Sequence, residues 1–249
     1  MAAVGAAFFI VPLLGLLVRT PWGDAVSALT SADTLEALRL SIIASLSATA
    51  LAVVLGVPLA WVYARVDFPG RRVLRALTTL PMVLPPVVGG IALLLAFGRR
   101  GLVGSVLESA FGVSLPFTTA AVVLAETFVA MPFLVLTVEA GLRSMDRRYE
   151  EAARALGARG WTVFTRVTLP LIAPSLTAGA VLCWARALGE FGATITFAGN
   201  FPGVTQTMPL AVYLLLETNP EGSFILSLIL LAVSLAVLVG LRDRWLGSA

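Results

Sequence analysis

Long apolar runs separated by short arginine-bearing stretches make up most of the chain. A bilayer core about 30 Å thick is crossed by about 20 apolar residues in a helix rising about 1.5 Å per residue. Six runs approach or exceed that length, at about residues 2–18, 40–64, 76–98, 117–138, 171–197 and 222–241. The first contains Pro12 and ends at Arg19, and the lack of a positive segment before it argues against a cleaved signal. The second is free of charge between Arg39 and Arg65, and its Gly56 and Pro58 read as helix-packing positions. The third carries Pro81, Pro85, Pro86, Gly89 and Gly90, which are expected to kink or partly unwind its first half. Glu126 interrupts the fourth, and Arg186 and Glu190 lie within the fifth.

A different pattern fills the loop at 143–170. Met145, Tyr149, Ala152, Ala153 and Leu156 recur at helical spacing and form one apolar stripe, while Arg147, Arg148, Glu150, Glu151 and Arg154 face elsewhere. Ser144 or Asp146 suits the helix start, and Gly157 suits its left-handed end. A second short helix is expected over 161–168, with Pro170 opening the fifth span. Taken alone, this pattern also fits an amphipathic helix lying on lipid headgroups.

Composition narrows the chemistry. The chain is 59% hydrophobic and 12% charged, against about 25% charged in soluble domains. All 17 basic residues are arginine, histidine is absent, and Cys183 is the single cysteine, read as an apolar filler. Without lysine there is no Walker A phosphate loop and no Schiff base, so the chain is not expected to hydrolyse ATP itself. Without histidine and with one thiol, the usual zinc sets, a Ser-His-Asp triad and an intramolecular disulfide are excluded. No nucleophile, base and metal-ligand cluster marks an intramembrane hydrolase. The net charge of +3 does not point to nucleic acid, because the arginines are scattered between apolar runs.

Arginine placement predicts orientation. Connections after the second and fourth spans, with the C-terminal tail, hold twelve arginines, whereas the opposite side holds Arg19, Arg39, Arg99 and Arg100. Positive residues remain cytoplasmic, so both termini and the 143–170 loop are expected inside. The expectation is thus a single all-α integral membrane domain of six spans over 1–249.

Glu151, Ala152 and Ala153, then Gly157 after three residues, then Val167, Thr168, Leu169 and Pro170 after nine more, resemble the EAA loop of ABC importer permeases. Valine in place of isoleucine at 167 is the one departure from that pattern. The resemblance implies the type I ABC importer permease fold, with Glu151, Ala152, Ala153, Gly157, Leu169 and Pro170 in a coupling helix loop docked on a separate ATPase subunit. ATP and Mg then belong to that ATPase dimer, and no cofactor or metal is expected on this chain.

The stretch from Arg186 through Gly189, Glu190, Phe191, Gly192, Ala193, Thr194, Ile195, Thr196 to Phe197, followed by Pro202, Gly203, Thr205, Thr207 and Pro209, is similar to that of molybdate permeases, the membrane component of molybdate/tungstate importers. Leu80 to Gly90 and Gly98 to Gly104 agree with the same family. The resemblance implies a homodimer in a prokaryotic plasma membrane and an extracytoplasmic binding protein that captures the anion. Sulfate/thiosulfate permeases share the Gly189-Glu190-Phe191-Gly192 core. An ion-coupled secondary carrier using Glu126 and Glu190 is a further alternative, and the loop argues against it.

Arg186 and Glu190 are one helical turn apart and able to pair. An unpaired charge at mid-membrane costs about 2.5–3.5 kcal/mol on insertion scales, so each needs a partner or water. Counted along one continuous helix from Leu171, they lie about 22 and 28 Å up, toward the outer mouth. Arg186, Glu190, Thr194, Thr196, Pro85 and Pro86 are therefore the expected pathway or gate residues. Glu126, about 14 Å in from Phe117, is expected to approach Arg186 if the fourth and fifth spans pack together.

Overall fold

A computed structural model describes the backbone of residues 1–246 and the side chains of residues 1–237. Arg242 and Arg244 of the charge tally lie outside the described side chains. In chain order the helices are α1 (Ala2–Arg19), α2 (Ala25–Thr30), α3 (Ala32–Arg65), α4 (Arg71–Thr79), α5 (Pro86–Phe97) and α6 (Gly104–Phe111). They continue with α7 (Thr119–Ser144), α8 (Arg148–Ala155), α9 (Gly160–Val163), α10 (Leu169–Leu188), α11 (Gly192–Phe197), α12 (Met208–Thr218) and α13 (Pro220–Leu246). Short 3-10 turns at Trp22–Asp24 and Leu80–Met82 and a π turn at Phe164–Thr168 complete the set, and no strand occurs among the described residues.

Five helical stretches are long and apolar enough to cross a membrane, or six if one bent pair counts as a span. That pair is the expected third span, and its break is sharper than a kink: Arg71–Met82 and Pro86–Phe97 meet at 118°. Pro86 forces Pro85 into an extended conformation, ψ 130°, and then supplies the first residue of α5, where its missing N–H costs nothing. The fifth span is likewise not continuous to Phe197. α10 ends at Leu188, Gly189 to Phe191 leave the helix, and α11 begins at Gly192. Glu190 therefore stands past a helix end, so its height counted along an unbroken helix does not apply. The second span starts earlier than its apolar run, because α3 takes in Asp33, Glu36 and Arg39. The connection after the fifth span, where no span was expected, contains the helix α12.

The chain folds into two compact units, one of residues 1–43 with 199–243 and the other built on 44–198. In the first, Ala37, Met208, Ala211 and Leu226 form the core, and the N–H of Met208 at the start of α12 donates to Ser41 Oγ at 2.7 Å. α1 contributes no buried residue to this core.

In the second unit α7 packs along α10 and against α5 and α11. Residues 44, 48, 52, 56, 60 and 64 of α3 are Ala, Ala, Ala, Gly, Ala and Ala, all buried, a four-residue repeat that lays one ridge of small side chains against its neighbours. Leu134 of α7 is gripped from two sides. A Cβ at Gly56 of α3 would come within 2.9 Å of its methyl group, and one at Gly179 of α10 within 3.3 Å of its Cα. This agrees with reading Gly56 as a packing position, since small residues let backbones approach where lipid supplies no hydrophobic drive.

Candidate functional site

The 143–170 loop forms the helix its spacing predicts. Asp146 Oδ1 accepts from the Arg148 N–H at 3.0 Å at the start of α8, and Gly157 takes φ +84° just after its end. The second short helix is present as α9 and the π turn. The apolar stripe is split: Met145 packs on the core and Ala153 is half-buried, while Leu156 is 90% exposed and Tyr149 59%, and Trp161 of α9 is 75% exposed. Glu151 and Ala152 are also exposed, and Leu169 and Pro170 open α10 at its half-buried and exposed first positions. Glu150, one of the polar residues off the stripe, is buried, whereas Arg147, Arg148, Glu151 and Arg154 are exposed.

Burial of Glu150 is compensated by two partners. Its Oε2 lies 3.3 Å from Arg65 Nε, and its Oε1 accepts from Thr168 Oγ1 at 2.7 Å. A second buried carboxylate, Glu139 of α7, is clamped by Arg75 at 3.0 Å and Arg143 at 2.8 Å. Arg143 also donates to the carbonyl of Tyr63 at 3.2 Å, and Arg147 to that of Ala64 at 3.1 Å, so the last carbonyls of α3 are satisfied by cations. Sequence reasoning missed this network. Glu139 and Arg143 stand four residues apart and were detectable as a helical pair, but nothing local signals that Arg65 would find Glu150, 85 positions away.

The second constellation joins the two stretches singled out around Pro85 and Glu190. α5 lies against α11 so closely that a Cβ at Gly192 would come 2.8 Å from Pro86 Cβ, and one at Gly90 2.8 Å from the Ala193 carbonyl oxygen. Arg186 and Glu190 do pair, at 2.5 Å, with Glu190 1% exposed and the Arg186 side chain 28%. Glu190 Oε1 also accepts the Ala193 N–H at 2.8 Å, so one carboxylate ties the end of α10 to the start of α11.

Other expected gate residues are placed differently. Thr194 is fully buried, with no hydrogen-bond partner for Oγ1 among the described residues, and Thr196 Oγ1 donates to the Gly192 and Ala193 carbonyls of its own helix. Pro85 and Pro86 are exposed at the bend. Glu126 is buried beside α10, yet no ion pair joins it to Arg186 among the described residues; Arg186 is taken by Glu190, and Glu126 lies within electrostatic reach of Glu190. No three His, Cys, Asp or Glu side chains gather into a metal-holding group among the described residues.

This architecture matches the crystal structure of a bacterial ABC transporter involved in import of the acidic polysaccharide alginate, with a TM-score of 0.73 at 18% identity, covering 98% of this chain and 92% of that one. The fold is that of a type I ABC importer permease. Residues 52–246 match the family described as binding-protein-dependent transport system inner membrane component, and the chain belongs to that family. Relatives include the molybdenum transport system permease protein ModB of Mycobacterium tuberculosis, 49% identical over 98% of this chain and 92% of the relative. The ModB protein of Escherichia coli is 41% identical over 83% of this chain and 92% of its own length. The sulfate transport system permease protein CysT of Escherichia coli is 35% identical over 91% and 82%.

Proposed function

We propose that this chain is the membrane-spanning subunit through which an ABC importer moves molybdate into the cytoplasm. Two copies of the chain form the path, a dimer of separate ABC ATPase subunits hydrolyses Mg-bound ATP, and an extracytoplasmic binding protein delivers the anion. The chain itself carries out no catalysis and holds no cofactor. Both termini and the 143–170 loop face the cytoplasm of a prokaryotic cell. The observation that carries the reading is the exposure of Tyr149 and Leu156 beside Glu151 and Gly157, in a chain whose nearer curated relatives are molybdenum permeases and whose sulfate relative is more distant.

The physical logic is direct. A helix that buries Glu150 and leaves Tyr149 and the following Leu156 exposed, with Trp161 of α9 exposed nearby in sequence, presents apolar side chains suited to another chain. Through Glu151, Ala152, Ala153, Gly157, Leu169 and Pro170 it couples nucleotide-driven motion to the spans. The gate lies where α10 breaks: Arg186 and Glu190 hold the break, the α5 bend at Pro85 and Pro86 abuts it, and Thr194 and Thr196 sit on the short α11 beyond. A paired arginine suits passage of a tetrahedral dianion. A lone one would hold it, since opposite charges at about 4 Å attract by about 4 kcal/mol at an effective dielectric of 20.

The test is uptake of radiolabelled molybdate by vesicles holding the complex with its ATPase and binding protein. ATP-dependent uptake displaced by tungstate but not by equal sulfate is the expected result. Equal displacement by sulfate would make the chain a sulfate permease, and uptake without ATP would make it an ion-coupled carrier.

A further inference from the structure

The loop helix α8 is not suspended on a flexible connection. Three links fasten it: Arg147, just before its first residue, to the Ala64 carbonyl at 3.1 Å; Glu150 to Arg65 at 3.3 Å; and Glu150 to Thr168 at 2.7 Å. Ala64 and Arg65 end α3, and Thr168 ends the π turn that runs into α10. The side chains of Arg65 and Glu150 are 8% and 5% exposed, and Thr168 is 1% exposed, so these contacts are made out of water, where an ion pair with added hydrogen bonds is least screened.

From this geometry we infer that Glu150 is a positioning residue for coupling: a latch that makes α8, the end of α3 and the start of α10 move as one body. The inference rests on the coupling role proposed for the loop and adds the path by which displacement leaves it. A push on the exposed face of α8 reaches α10 by two routes. The covalent one passes through Gly157, with its positive φ, then Gly160 and the irregularly hydrogen-bonded π turn, a stretch that absorbs motion. The other passes directly through Glu150, which bypasses that stretch. With the carboxylate in place the loop transmits; without it the glycine segment flexes and the stroke is dissipated. Glu150 accepts from Thr168 while paired with Arg65, so one side chain synchronises two spans that are far apart in sequence. The neighbouring Glu151 is exposed and free to serve the partner.

The experiment uses the complete complex in vesicles and measures molybdate uptake per ATP hydrolysed. For Glu150→Ala this ratio is expected to fall by about tenfold, the upper range for residues that modulate coupling without touching ligand, while the ATPase still co-purifies and hydrolyses ATP. Reversal of the pair, Arg65→Glu with Glu150→Arg, is expected to recover most of the loss, because the Thr168 hydroxyl then accepts instead of donating. Should Glu150→Ala fail to assemble, Thr168→Val removes one hydrogen bond at nearly constant volume and is expected to lower the same ratio less. A second readout is independent of the transported anion: nitroxide labels on Val66→Cys and Arg148→Cys in a Cys183→Ser background. Their separation is expected to stay fixed between nucleotide-free and ATP-trapped parent complexes and to broaden in Glu150→Ala. Uptake per ATP at the parental value in Glu150→Ala, or in Thr168→Val if it stands in, overturns the latch. So does an unchanged label distribution. A parent complex that takes up no molybdate overturns the transport reading alone, and the label distances then decide the latch.

Discussion

Gly90 of α5 and Thr196 of α11 are in such close contact that a methyl group on Gly90 would overlap the threonine hydroxyl and press on the Ala193 backbone, at 2.8 Å from its carbonyl oxygen and 2.9 Å from its Cα. The adjacent Gly89 faces only the Phe128 ring, at 3.2 Å. A ring edge yields by a small rotation, whereas helix backbone does not. Gly90→Ala should therefore destabilise the folded subunit by about 1–3 kcal/mol, the usual cost of overpacking, and Gly89→Ala by less than that. Thermal unfolding in detergent compares them directly; equal midpoints would mean that the two helices are not in fixed contact.

How much of this was legible in the sequence depends on the range of the interaction. The α3 ridge of Ala44, Ala48, Ala52, Gly56, Ala60 and Ala64 repeats at helical spacing, and Arg186 and Glu190 stand one turn apart, so both were open to local reading. Gly157 was identifiable because the left-handed residue that follows a helix is usually glycine. The reversal at Pro85 was underestimated, since a proline pair marks a break but does not fix the angle, which packing of α5 on α11 decides. Burial of Glu150 was not legible for a related reason. Periodicity assigns apolar and polar sides, but it does not say which side packs on the rest of the chain, and here Arg65 and Thr168 draw Glu150 inward.

Position 157 separates backbone conformation from space. No atom lies within 4 Å of where its Cβ would stand, yet φ is +84°. A valine there should cost about 1–2 kcal/mol through the left-handed strain, and asparagine should cost less. Uptake is expected to fall in Gly157→Val and to be largely retained in Gly157→Asn, with membrane insertion unaffected in both. Parental uptake in Gly157→Val would count against the loop as the coupling element.

The arginine count is what supports the proposed placement of the loop inside the cell. In a Cys183→Ser background, Arg148→Cys should resist a membrane-impermeant thiol reagent in intact cells and react once the cells are opened. Arg148 is exposed, so poor access in opened cells is not expected on steric grounds. Ready labelling from outside would invert the orientation proposed for every span.

The break after α10 allows the sharpest separation of charge from structure, because Glu190 does two things at once. It pairs with Arg186 at 2.5 Å and caps α11 through the Ala193 N–H at 2.8 Å. Arg186→Ala leaves a carboxylate that is 1% exposed without its cation, and breaking a buried pair from one side costs about 3–5 kcal/mol where both groups are fully buried. Arg186 is 28% exposed, so the cost here should fall toward the lower end. Glu190→Gln keeps an acceptor for the cap but strands the arginine, and a stranded arginine beside the path should slow release of a dianion. Uptake is therefore expected to fall in both single variants, with ATP hydrolysis less affected in Glu190→Gln. Combining Arg186→Ala with Glu190→Gln removes both charges, keeps the cap, and should restore part of the uptake. If each single variant transports at the parental rate with undiminished coupling, the pair only holds the break together. If the double variant is as poor as the worse single, charge balance is not what the gate requires, and the role passes to the α5–α11 contact instead.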